Sequence, residues 1–206
     1  MKKSTCVLVL VLAFGCFSGI QAASFTLHFD ELPSQPVNGL TYMGVTFGFE
    51  IGAVPSTEAN YNALGPGPTH IYVQDPSLVG SAAGVLTLDF AVPTDILEFG
   101  VALSTESALT PGFIVNLYDP SLTPLGTFPV NTSPLVTFTE GLFTISGPLI
   151  GRAMVSFAPL EGGGFALDNL TYELIPEPSS IGLVGTGLLV IGSLARRRAA
   201  KRSRNT

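Results

Sequence analysis

The chain has no tryptophan, and its only cysteines, Cys6 and Cys16, lie within the first twenty-two residues. A protein that loses this opening segment has no disulfide to brace it and must be held together by packing alone. Cations are as scarce. Of the nine Lys and Arg, Lys2 and Lys3 open the chain, six fall between Arg196 and Arg204, and Arg152 alone serves residues 23 to 175, against fourteen acids there. The resulting thirteen net negative charges repel a phosphate backbone and exclude nucleic acid as a partner. Histidine is limited to His28 and His70, and two scattered histidines do not supply a zinc site, which takes three or four ligands at defined spacing. Between residues 23 and 175 nucleophilic catalysis has no thiol and no Gly-x-Ser-x-Gly elbow to work with, so the expectation is a protein without a catalytic site.

What is present begins at the ends. Lys2 and Lys3, the apolar run Val7 to Phe14 and the small-residue close at Ile20-Gln21-Ala22 form the order of a secretory signal peptide over residues 1–22. Signal peptidase is expected to cut between Ala22 and Ala23. The apolar run is shorter than the roughly 20 residues a spanning helix needs, which argues against a permanent N-terminal anchor. At the other end Pro176-Glu177-Pro178 precedes fifteen uncharged residues, 181–195, and then Arg196-Arg197-Arg198. As a helix that run covers about 22 Å, short of the roughly 30 Å hydrocarbon core, so it makes a marginal transmembrane helix whose arginines stay cytoplasmic.

The succession Pro-Glu-Pro, short apolar helix, arginine cluster over residues 176–206 resembles the PEP-CTERM sorting signal. The resemblance implies a Gram-negative, exopolysaccharide-producing host and an exosortase that cuts near Pro176-Glu177-Pro178. It implies a transient inner-membrane stage and delivery to the outer surface or extracellular matrix. The tail of eight residues after the arginine triplet is longer than the family's pattern. The alternative is a permanently anchored envelope protein with a proline-rich stalk.

Between the signals, residues 23–175 read as strands. Apolar and polar residues alternate in Ser24 to Asp30, and the same period puts Val45, Phe47, Phe49 and Ile51 on one face, then Leu86, Leu88 and Phe90, then Leu97, Phe99, Val101 and Leu103. Further runs at 112–118, 135–139, 142–146, 153–157 and 165–174 are β-branched and aromatic, separated by Gly, Pro or Asp. No helical stripe competes. The expectation is an all-β antiparallel sandwich of roughly eight to eleven strands, of jelly-roll type, flanked by the signal helix and the short C-terminal helix. Residues 52–68, with Gly65-Pro66-Gly67-Pro68, read as a long mobile loop. The strings Phe29-Asp30-Glu31-Leu32, Tyr42 to Phe47 and Phe165 to Leu170 are similar to the opening and closing strands of lectin-like β-sandwiches.

Four candidate chemistries remain. Asp30 and Glu31 at the end of the first strand meet Asp168 if first and last strands pair, and a structural Ca2+, taking six to eight oxygens, is the ion such carboxylates suit; the lectin-like resemblance implies the same place. Sugar binding leans on exposed rings, which here are Tyr42, Tyr61, Tyr72, Tyr118 and Tyr172, with Tyr61 in the long loop the most exposed. A carbohydrate-active enzyme would need two carboxylates about 5 to 9.5 Å apart in a cleft. Finally, alternation in the last strand puts Asp168 beside Ala166, Leu170 and Tyr172 on an apolar face, where an unpaired carboxylate is costly. Arg152 is its expected ion-pair partner; calcium beside Asp168, or an Arg152 that faces solvent, are the competing readings.

Overall fold

Twelve strands form in the computed structural model, which describes residues 23–65, 71–160 and 162–174. The signal segment 1–22, His70, the Pro176-Glu177-Pro178 motif, the apolar run 181–195 and the basic residues from Arg196 onward lie outside the described residues. All ladders are antiparallel, and no helix occurs among the described residues. The strands are β1 (Ala23–Leu27), β2 (Gln35–Pro36), β3 (Thr41–Tyr42), β4 (Val45–Ile51), β5 (Val54–Pro55), β6 (Ala59–Ala63), β7 (Ser77–Ser81), β8 (Gly84–Leu103), β9 (Leu109–Tyr118), β10 (Pro124–Pro134), β11 (Thr139–Phe157) and β12 (Gly164–Leu174).

Two strands are long enough to serve twice. The first half of β8 lies between β4 and the second half of β11, which continues to β9 and β10. The second half of β8 lies between the first half of β11 and β12, which continues to β7, β6 and β2, with β1 on the far part of β12. Pro93 and Gly147-Pro148 mark the passage from one part to the other, where the β8–β11 register shifts between Ser146 and Ile150. Read along the sequence, these prolines split each long strand into two.

The sheet folds over so that its inner faces meet. Strands β4 and β12 share no ladder, yet Phe49 packs on Phe165 with ring centroids 5.9 Å apart, and Phe165 stacks on Phe157 at 3.9 Å. Phe47, Leu86, Leu88, Phe99, Val101, Val155 and Leu167, all fully buried, belong to one continuous core. Burying each such side chain is worth about 1.5–3 kcal/mol, which replaces the missing disulfide. The alternation expected for β1, β4 and β8 is the one that builds this core.

Several segments depart from expectation. Residues 52–68 are not one loop. Hairpins Tyr42-Met43-Gly44-Val45 and Ile51-Gly52-Ala53-Val54 close through two central residues each with positive φ, 46° and 81° in the first and 59° and 62° in the second. These are type I′ turns, whose twist matches that of the strands, and they set β5 beside β4 before β6 begins. Tyr61 consequently lies in β6 and is fully buried, not exposed. Of the run 135–139, residues 135–138 are a bend with exposed Leu135 and Val136, and Thr139 opens β11. The strand there is β10, whose prolines 124, 129 and 134 read as breakers; it borders β9, and proline's missing N–H is tolerated at a sheet edge.

Candidate functional site

The end of β1 and the middle of β12 come together as the calcium reading required, with Leu27 opposite Leu170. Beyond Leu27 the chain turns, Phe29 taking a positive φ of 59°. The His28 amide donates to Glu31 Oε1 at 2.8 Å, and the buried Tyr61 hydroxyl donates to Glu31 Oε2 at 2.5 Å. Burial works against the Glu31 charge, but these donors prevail and hold the carboxyl below its ordinary value. Burial, together with the bond to Glu31, pushes the Tyr61 hydroxyl pKa up.

The polar chain continues across the sheet. His28 Nδ1 lies 2.8 Å from Asn169 Oδ1, while Asn169 Nδ2 donates to Tyr72 O and to Asp168 Oδ2. With the Asn169 amide nitrogen turned to two acceptors, its oxygen faces the imidazole, so His28 Nδ1 carries the proton. Asp168 is 2% exposed. Its Oδ2 also accepts the Gln74 amide at 2.9 Å, whereas its Oδ1 is buried with no partner. Burial raises its pKa to about 6, against the lowering effect of these hydrogen bonds.

Asp168 does not share a face with Leu170 and Tyr172. Asn169 has a positive φ of 55°, and the register with β8 shifts between Asp168 and Thr171. This bulge resets the alternation, so that Phe165 and Leu167 before it and Leu170 and Tyr172 after it all enter the core, while Ala166 and Asp168 face outward. The calcium trio is therefore not assembled: Glu31 turns to Tyr61 and to its own turn, and Asp168 faces the opposite side of the sheet. Among the described residues no group of three His, Cys, Asp or Glu is placed to hold a metal ion.

The outward face at Asp168 is covered by residues 71–74. Glu140, 2% exposed, accepts the Ile71 amide on both oxygens, at 2.9 and 3.0 Å, and the Tyr72 amide at 2.6 Å. Asp168 takes Gln74 from the other side. Between these two anchors Val73 sits on Ala102 and Ala166, and a Cβ added to Gly100 would stand 2.2 Å from the Tyr72 carbonyl oxygen. Small residues in the sheet thus make room for a backbone strap, and two buried carboxylates receive its N–H groups. Both carboxylates stand on one side of the sheet, but the strap occupies the space that a sugar and a water would need.

Arg152 does not pair with Asp168. It stands directly opposite Asp89 across the β8–β11 ladder and binds it as a fork, Nε to Oδ1 at 2.5 Å and Nη2 to Oδ2 at 2.9 Å. The reason is register: Arg152 and Asp168 belong to strands on opposite sides of β8 and to different parts of it. The pair is half-exposed, at 34% and 39% for the two side chains, and the hydrogen bond to Asp89 raises the guanidinium pKa further.

With this geometry in place, comparison with known proteins places the other functional element. A model of the PEP-CTERM protein-sorting motif matches residues 174–199. The chain carries a PEP-CTERM sorting motif. No curated protein matches the chain. Among solved structures, it is similar to a family 29 carbohydrate-binding module from Piromyces equi at 13% identity, over 75% of this chain and 92% of that one, with a TM-score of 0.41. A variant of a family 29 module solved with cellulohexaose is similar at 11% identity, over 76% and 94% of the two chains, with a TM-score of 0.40. What those modules bind is a property of those modules.

The PEP-CTERM motif marks the protein as exported, and it starts at Leu174, the last residue of β12. Leu174 pairs with Ala23, the first residue of β1 and one side of the expected signal-peptidase bond. The folded unit, Ala23–Ile175, therefore begins and ends on one ladder. Sequence reasoning missed the roles of Asp89, Glu140 and Asn169. Asp89 lies on the outward positions of an alternating strand and so had a signal; Glu140 sits beyond a misread strand, and nothing local marks the Asn169 bulge.

Proposed function

We propose that this is a non-enzymatic surface or matrix protein of a Gram-negative host, whose lectin-like, jelly-roll-type unit is released by removal of both ends and binds or organises exopolysaccharide. The observation that carries the reading is the PEP-CTERM motif on a compact all-β unit. Signal peptidase acts between Ala22 and Ala23. An exosortase-type enzyme acts near Pro176-Glu177-Pro178 while the run 181–195, stopped by Arg196-Arg197-Arg198, holds the chain briefly in the inner membrane. Both cuts fall at the edges of the β1–β12 ladder, so neither removes a core side chain.

A non-catalytic role is supported by how four of the carboxylates are used: Glu31, Glu140 and Asp168 accept hydrogen bonds from the protein itself, and Asp89 is held by Arg152. Acidity selects among polysaccharides. With Arg152 engaged by Asp89, an anionic polymer meets repulsion unless divalent cations bridge it, whereas a neutral one does not. The test is the intact mass and cell fraction of the native protein. Loss of residues 1–22 and of everything beyond the Pro176 region, with the product outside the inner membrane, is expected. Native protein that keeps Arg196 to Arg198 in the inner membrane at steady state overturns the reading in favour of a permanent anchor.

A further inference from the structure

Among the described residues, the outward face of the part of the sheet formed by β4, β8, β11, β9 and β10 has no strap over it. Register places its side chains in rows. Thr46, Asp89, Arg152 and Tyr118 form one row, and Gly48, Thr87, Met154, Asn116 and Thr127 the next. Five strands about 4.8 Å apart make this face roughly 19 Å wide from first to last. Its residues between Thr46 and Tyr118 are half-buried, as on a flat surface, while their neighbours Phe47, Leu88, Ala153 and Leu117 point into the core.

We infer that this face is the binding surface for a neutral polysaccharide segment, with the Tyr118 ring as platform and Asp89, Arg152, Asn116, Thr127 and Thr87 as its hydrogen-bonding groups. The inference rests on the proposed polysaccharide-binding role and gives it a place. Three observations carry it. The first is charge: the two central charges cancel in one bidentate pair on a unit that otherwise carries only acids between 23 and 175. The face neither repels a neutral polyol nor offers a free cation to a polyanion.

The second is unfilled hydrogen-bonding capacity. Arg152 uses Nε and Nη2 on Asp89, and Asn116 Oδ1 accepts from Thr127 Oγ1 at 2.7 Å. Arg152 Nη1 and the Asn116 amide nitrogen take no protein partner among the described residues, so donors stand beside the remaining acceptor positions of Asp89, the mixture a chain of hydroxyls can match. The third is rigidity. The guanidinium is fixed by its fork and every group stands on a registered strand, so little ordering is lost when a ligand docks. Of the five tyrosines, Tyr61 and Tyr172 are fully buried. Tyr118, opposite Arg152 in the ladder, is the one that belongs to this face.

The experiment measures retardation of the purified protein in native gels. The gels contain the neutral or the acidic fraction of the host's extracellular polysaccharide, separated by anion exchange. Tyr118→Ala, Arg152→Ala and Asn116→Ala are run beside the wild type, each checked for an unchanged β-rich circular dichroism spectrum. The expected result is retardation by the neutral fraction, weakened roughly tenfold or more by Tyr118→Ala and by Arg152→Ala. Retardation of the wild type that all three variants retain overturns the placement and leaves the polysaccharide reading standing. No retardation by the neutral fraction, or retardation by the acidic fraction alone, overturns that reading together with the site. Variants that abolish self-association instead of polysaccharide binding make the face a contact between copies and overturn the inference.

Discussion

The two outward faces of this sandwich are built on the same two strands and have opposite fates. Where β8 presents Gly100 and Ala102, and β12 presents Ala166, the face is covered by the strap 71–74 and becomes a small second core with Val73. Where β8 presents Thr87 and Asp89, and β11 presents Arg152 and Met154, no described residue covers the face and the side chains stay half-exposed. Carboxylates follow the same division. Glu140 and Asp168 are buried acceptors for backbone amides, whereas Asp89 meets a half-exposed guanidinium. Residue size at outward positions thus decides whether backbone can approach, and what approaches decides what a carboxylate is for.

The covered face is most vulnerable at Glu140. Glu140→Ala removes the buried acceptor of the Ile71 and Tyr72 amides, and a donor left unsatisfied out of reach of water costs about 1–3 kcal/mol. A loss of at least about 2 kcal/mol in urea unfolding is expected, accompanied by faster hydrogen exchange at the amides of 71 to 74. A loss under about 1 kcal/mol, with exchange unchanged, would show that the strap stands without its anchor and that the covered face is held by Val73 alone.

How much of this was legible in the sequence depends on the range of the forces involved. Alternation in β1, β4 and β8 is local, and it gave the all-β class and the core residues Phe47, Phe49, Leu86, Phe99 and Val101. The terminal signals are local too, and the sorting motif matched where its residues pointed. Asp168 failed because one bulged residue, Asn169, reverses every later assignment, a change that a single register slip always produces. Arg152 failed for a related reason: its partner is set by which residue lies across the ladder, and ladder register is not a local property. Asp89 was the cross-strand neighbour, while Asp168 was only the residue in greatest need of one. Tyr61 failed because the tight turn at Gly52-Ala53, with β5 and β6 after it, takes up what reads as loop.

A second measurement sharpens the difference between the faces through pH. The folded-state pKa of Asp168, about 6, lies above its ordinary value of 3.8 because burial penalises the charge. The folded state therefore holds this proton more tightly than the unfolded chain. The stability it contributes is complete below about pH 4 and is lost as pH rises through about 6. His28 and Glu31 act on the group with opposite signs. Glu31, held below its ordinary value, contributes stability that fades in more acid solution. The wild type is expected to gain on Asp168→Asn as pH falls from about 6 to about 4, by an amount on the order of 1–3 kcal/mol. A flat difference between the two across that range would mean that Asp168 is solvated and that the strap does not seal its face.

The smallest effect is expected at Arg152, and its smallness is the informative part. Had Arg152 been buried against Asp168, Arg152→Ala would leave a buried charge without a partner and cost about 3–5 kcal/mol. Against Asp89, with 34% and 39% of the two side chains exposed, water takes over the hydrogen bonds that the guanidinium gives up. A half-exposed pair of this kind contributes about 0–1 kcal/mol, decreasing as salt is added. Unfolding of Arg152→Ala within about 1 kcal/mol of the wild type, with Asp89→Ala matching it, is the expected result. The double variant should differ from the sum of the two by less than about 1 kcal/mol. A cost above about 3 kcal/mol would mean that the pair is sealed from water by something lying over β4, β8 and β11, and the open face would then be as covered as the other.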